Sequence, residues 1–150
     1  MYNRDYLSQK QAEDYFSKAT SLLSEAKNHY EKSHYDLCVR RSQDAFEMFL
    51  KSLFRLIDIE FPATHDLKQK LYDVCKPLEK YGISVEETAR LILANETLTL
   101  WRDRAFYGDE KLRVSGCFGK NEADLALFYV ERLHNSVGFA RYRFFSKSSP

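Results

Sequence analysis

Apolar residues recur at intervals of three and four along most of the chain, a spacing that predicts helices. Ala12, Tyr15, Phe16, Ala19, Leu22, Leu23, Ala26 and Tyr30 mark one face of a first helix, from about Ser8 to Lys32. Lys10, Glu13, Lys18, Glu25 and Lys32 lie on its polar face. Ser8 and Gln11 have the spacing of a capping box, with Leu7 and Ala12 placed as a hydrophobic staple. After a break at Ser33-His34, a second stripe runs through Cys38, Ser42, Ala45, Phe46, Phe49, Leu53, Leu56 and Ile57, ending near Asp58. So short a connection makes the two helices an antiparallel hairpin.

Pro62 disfavours helix at Phe61, so residues 59–63 read as a loop. Thr64 is placed to cap a shorter third helix with Leu67, Leu71, Val74, Cys75 and Leu78 inward, and Gly82 follows where a left-handed residue closes a helix. Ser84 and Glu87 form a second capping box. The fourth helix then carries Ala89, Ile92, Leu93, Thr97, Leu100 and Trp101 to about Tyr107, where Gly108 stops it. Residues 109–120 contain Gly116 and Gly119 and no clear period, the pattern of a long binding loop or flap. Asn121, with Asp124 at the third position, caps a last helix whose stripe is Ala123, Ala126, Val130, Leu133, Val137, Ala140 and Phe144. Residues 146–150 read as a frayed tail. The expected fold is one all-α domain over residues 1–150, an up-and-down bundle of about five helices, four long and one short.

Composition agrees with that picture. Five Gly and three Pro in 150 residues are too few for a sheet with many turns. A net charge of +1 leaves no global reason to bind nucleic acid or membrane, so any basic patch must be local. Cys38, Cys75 and Cys117 are odd in number and form no CxxC pair, which points to reduced thiols in a cytoplasm. The N-terminus lacks the apolar core of a signal peptide, and the longest apolar run, Leu125 to Val130, is six residues. The expectation is a soluble, cytoplasmic protein with no membrane partner.

Candidate chemistry narrows to one stretch. Glu131 and His134 make a single ExxH, and His29, His34 and His65 read as solvated or capping, so neither a metal nor another cofactor is expected. Gly116-Cys117-Phe118-Gly119-Lys120 lacks the strand before it and the hydroxyl residue after it that a phosphate loop requires. Arg40, Asp44, Glu47 and Lys51 line one face of the second helix and read as a solvated salt-bridge face, with Arg41 nearer the apolar stripe and able to edge a groove. Residues 100–110 differ in kind. They hold the single tryptophan, Trp101, together with Arg102, Arg104 and Tyr107 at a helix end. Two guanidiniums beside a phenol can hold a phosphate, or the arginines can neutralise the carbonyl-rich helix terminus.

Several pieces, taken in order, resemble a known family. They are Tyr35-Asp36-Leu37, Gln43-Asp44-Ala45-Phe46-Glu47 and Leu50-Lys51-Ser52-Leu53, then Thr64-His65-Asp66-Leu67, Arg104-Ala105-Phe106-Tyr107-Gly108-Asp109 and Glu122-Ala123-Asp124. Together they are similar to the HEPN domain, a prokaryotic and archaeal helical bundle. The resemblance implies a homodimer whose helix ends meet across the two-fold axis to form a cleft. Many members are metal-independent endoribonucleases with an Arg-x(4–6)-His motif. Others bind nucleotides or serve as partners of small MNT-type nucleotidyltransferases, often as toxin–antitoxin pairs. In the nucleases, histidine can shuttle the 2′-hydroxyl proton and arginine can stabilise the charged phosphorane.

This chain departs from the nuclease pattern. Five residues after Arg102 stands Tyr107, and four to seven after Arg104 stand Gly108, Asp109, Glu110 and Lys111. A phenol with an ordinary pKa of about 10 shuttles protons poorly at neutral pH. The resemblance therefore implies nucleotide or RNA phosphate binding by Arg102, Arg104 and Tyr107, helped by Arg40 or Arg41, without catalysis. The alternatives are a structural partner of a small nucleotidyltransferase, or a diverged endoribonuclease using Arg102, Asp103 and Tyr107, or His134 or His65 as the shuttle.

Overall fold

The computed structural model describes residues 4–61, 67–107 and 118–148. Among these are six helices and no strand: α1 (Arg4–Glu31), α2 (Tyr35–Leu56), α3 (Lys68–Asp73), α4 (Cys75–Glu79), α5 (Val85–Tyr107) and α6 (Lys120–Ser148). Thr64 and Gly108, assigned as a cap and a stop, lie outside the described residues, as do His65 and most of the expected 109–120 loop.

Side-chain pairs fix the directions of the four long helices. Arg141 reaches Glu13 and Lys27 reaches Glu131, so α6 runs antiparallel to α1. Gln43 bonds to Leu98, while Glu47 and Asn95 line the same cavity, so α5 runs antiparallel to α2. The long helices thus alternate up, down, up and down, and α3 and α4 form the crossover between α2 and α5. α2 packs against α1, α5 and α6. That position buries Cys38, Val39, Ala45, Phe46, Phe49, Leu50, Leu53 and Phe54 together. The α6 stripe lies as its spacing requires, with Ala123 through Ala140 closed to solvent.

Three helices end in the same way. At each end a left-handed residue donates to the carbonyl three back, and the next residue donates to the carbonyl five before it, which is the Schellman arrangement. Ser33 (φ 61°) and His34 close α1 on Tyr30 and His29. Asp58 (φ 55°) and Ile59 close α2 on Arg55 and Phe54. Gly82 (φ 86°) and Ile83 close α4 on Glu79 and Leu78.

Four sequence expectations change. The first helix begins by Arg4, and Ser8 is not its cap. The Ser8 hydroxyl, buried inside α1, donates instead to the Arg55 carbonyl at 2.6 Å, a second donor to an acceptor in the last turn of α2 that the Asp58 N–H also reaches. The expected third helix is two pieces broken at Val74 (φ −101°, ψ 8°). Pro77 has no N–H for the Asp73 carbonyl and its ring crowds that oxygen, so an unbroken helix through both is disfavoured. The last helix is entered from Gly119, whose N–H donates to Glu122 at 3.0 Å, and not from Asn121.

The fourth change concerns α5, whose inward face is rotated from the expected one. Thr88, Leu91, Ile92, Asn95 and Leu98 are buried, whereas Leu93 (62% exposed) and Leu100 (57% exposed) face outward. The helix carries two apolar stripes, and the inner one is interrupted by Thr88 and Asn95, which hid its phase.

Candidate functional site

The antiparallel crossing of α2 and α5 builds a polar cleft out of residues far apart in sequence. Its floor is the buried Gln43, whose Nε2 donates to the Leu98 carbonyl at 2.9 Å. Arg40 lies about one turn from Gln43 toward the start of α2, and Arg102 about one turn from Leu98 toward the end of α5. Because the helices are antiparallel, both guanidinium-bearing residues arrive at the same level of the bundle. Their electrostatics agree with this placement. Burial holds the Arg40 guanidinium below its ordinary value, Asp44 raises it, and the positive charges of Arg102 and Arg41 lower it further.

Below that level lies a small cavity of about 20 Å³, lined by Gln43, Phe46, Glu47, Asn95, Thr99 and Arg102. A phosphate is larger than this space. Glu47 is 9% exposed and pairs with Lys51 at 3.3 Å. The expected solvated face of Arg40, Asp44, Glu47 and Lys51 is therefore partly interior, because α5 lies along it and Phe61 covers Lys51.

The structure distributes the other candidates. Arg41 turns away into an ion-pair network with Glu25 (3.3 Å) and Asp44 (2.9 Å). The side chains of Asp103, Arg104 and Tyr107 lie outside the described residues, although their backbone forms the last turns of α5. Trp101 is half-buried and packs on Phe118 with ring centroids 5.7 Å apart, which ties the start of α6 to the end of α5. His134 sits between Phe16 (5.6 Å) and Phe49 (5.3 Å), on the side of α2 opposite Gln43 and Glu47. His29 and His34 pair at 6.1 Å beside the α1–α2 turn.

Gln43 and Asn95 were not among the candidates drawn from the sequence. The available signal is a glutamine and an asparagine falling among the apolar positions of buried helical faces.

A second feature adjoins the cleft across α5. An apolar groove of about 270 Å³ runs between α5 and α6, lined by Leu91, Leu93, Ala94, Phe128 and Tyr129, with Arg90 and Arg132 also at its walls. Leu100, Leu125 and Phe128 are each about half exposed on this side of the molecule. No helix among the described residues is long and apolar enough to cross a membrane.

Comparison with curated proteins and with solved structures finds no match to this chain. The helical bundle and the order of its motifs nevertheless agree with one family model, that of the HEPN domain, which matches residues 12–140. The chain belongs to the HEPN domain family.

Proposed function

We propose that the protein binds a nucleotide or RNA phosphate at the mouth of the α2–α5 cleft, as a homodimer and without cutting its ligand. The observation that supports this reading is geometric. The antiparallel register fixed by the Gln43–Leu98 bond brings Arg40 and Arg102 to one level of the bundle, where the Asp44 carboxylate offsets part of their charge and a bound phosphate would add to it. Arg104 and Tyr107, on the last turns of the same helix, are expected to extend the site. Tyr107 at the motif position supplies no proton shuttle near neutral pH, and His134 is packed among phenylalanines on the far side of α2. The apolar face of α5 and α6 supplies a surface through which two copies can associate, bringing two clefts near one axis.

Anisotropy titration with a short labelled RNA and with labelled ATP tests the reading. RNA binding should weaken with salt, with a logarithmic slope of about −0.7 per phosphate contacted. The double variant Arg40→Ala/Arg102→Ala should bind more weakly and flatten that slope by about one unit. Unchanged binding in the double variant sinks the proposed site. Cleavage of RNA by wild type in the presence of a chelator, lost in Arg102→Ala, overturns the non-catalytic part.

The same apolar face favours a second reading, in which it docks a small nucleotidyltransferase and the interface itself is the function. Co-expression with such an enzyme should then give a stable hetero-complex that Phe128→Glu disrupts. A homodimer unmoved by the enzyme argues against it.

A further inference from the structure

The floor of the cleft contains an unmet hydrogen-bonding requirement. Gln43 is 7% exposed, and its Nε2 faces the Leu98 carbonyl, a group that can only accept. That contact fixes the amide's orientation, since flipping it would oppose two carbonyl oxygens. The Oε1 is therefore directed away from Leu98, and it is buried with no hydrogen-bond partner among the described residues. A buried amide oxygen without a donor carries its full desolvation penalty, so some donor is expected to reach it. The adjoining cavity of about 20 Å³, which Gln43 helps to line, has room for a water. Its walls include the polar side chains of Gln43, Thr99 and Arg102, enough to give a water two or more partners. Leu98 lines it too, with Glu47 and Asn95, which are engaged elsewhere as well.

We infer that one structural water is built into this cavity, and that Gln43 and this water together position Arg102 for the phosphate. Two links run from α2 to the turn carrying Arg102. The direct one is Gln43 Nε2 to the Leu98 carbonyl, four residues before Arg102 and in the same helical ladder. The second is the water, donating to Gln43 Oε1 and bridging to the polar groups of α5. Both act on the turn that sets the height of Arg102 relative to Arg40, so Gln43 is a positioning residue that touches no ligand. The positioning role rests on the proposed phosphate site; the water does not.

A crystal structure of the full chain should show an ordered water within hydrogen-bonding distance of Gln43 Oε1, and an empty cavity overturns the inference. The variant Gln43→Met keeps the side-chain length and removes both amide groups. It should lose the water and lower RNA affinity about tenfold, the equivalent of one hydrogen bond. In ¹⁵N spectra the Arg102 Nε–H signal should broaden or shift in this variant while the spectrum of the α1–α6 contact stays unchanged. A general packing defect would move both. Affinity and Arg102 signal equal to wild type in a folded Gln43→Met overturn the positioning role. If wild type binds neither RNA nor ATP, the phosphate site fails, while the water and the Arg102 signal still judge the bridge itself.

Discussion

Glu87 and Arg132 join α5 to α6 through a two-pronged ion pair, with Arg132 Nε at 2.9 and 3.1 Å from the carboxylate oxygens and Nη2 at 2.7 Å. The same glutamate donates its backbone N–H to Ser84 Oγ at 3.0 Å, completing half of a capping box. Its carboxylate is engaged with Arg132, Ser136 and Arg90 and holds the first turn of α5 against α6.

This pair makes part of the stability depend on acid. The hydrogen bonds from Arg132 hold the Glu87 carboxyl below its ordinary value of 4.5, against the opposing effect of burial. A depressed folded value means the stabilisation is present above about 4.5 and is lost as pH falls through the folded value. The melting temperature of Glu87→Gln should therefore lie below wild type at neutral pH and converge on it under strongly acid conditions. A constant gap across that range would show that the carboxylate charge is not what stabilises the contact.

The helix ends give opposite outcomes for apparently similar changes. A Cβ on Gly82 would meet Phe139, in direct overlap, and Arg143, and would sit on a backbone with φ 86°. Gly82→Ala should cost about 2 to 4 kcal/mol from left-handed strain and overpacking, read by urea denaturation. Ser33 is exposed and also left-handed, and its hydroxyl accepts a long, exposed bond from Tyr35 at 3.4 Å, so Ser33→Gly should be neutral or stabilising by up to about 1 kcal/mol.

The apolar face of α5 and α6 can be probed without touching the core. Leu93 and Phe128 are more than half exposed, so Leu93→Glu/Phe128→Glu should leave the helical spectrum unchanged. By analytical ultracentrifugation the double variant should shift from dimer toward monomer. A wild type that is monomeric at every concentration tested removes the homodimer from the proposed function.

Thiol chemistry should separate the two described cysteines. Burial pushes the Cys38 thiol up to about 11, with a smaller opposing hydrogen bond to Ser42. Cys75 is half-buried at the start of α4. A thiol reagent near pH 8 should modify Cys75 in the native protein and Cys38 only on unfolding, as mass mapping would show. Fast native labelling of Cys38 would mean that α2 opens locally.

What the sequence made legible follows from range. The α2 stripe was readable because that helix is apolar on one face. The α6 stripe was readable because its inward positions, Ala123 to Ala140, are apolar without a polar break, although Leu125 and Phe128 also stand on its outer face. α5 was misphased because its outer face is as apolar as its inner one, and Asn95 and Thr88 occupy positions where leucine would have been the cue. Gly82 announced its helix end, but Ser33 and Asp58 adopt the same conformation without glycine. Ser8 looked like a cap because its true partner, the Arg55 carbonyl, is 47 residues away. The site follows the same rule. Arg40 and Arg102 were each identifiable, yet their meeting depends on the register between α2 and α5. Arg41, equally basic and next in sequence, points into a different charge network.

That register also turns the cleft into a matter of counting. Asn95 and Arg102 are separated by two helical turns, so both face α2. One residue inserted between them would swing everything beyond it by about 100° around the helix axis and carry Arg102 off the cleft. Such an insertion could keep every side chain named here, and the helix with them, and still dismantle the site. Length between these two residues is therefore constrained as tightly as their identity.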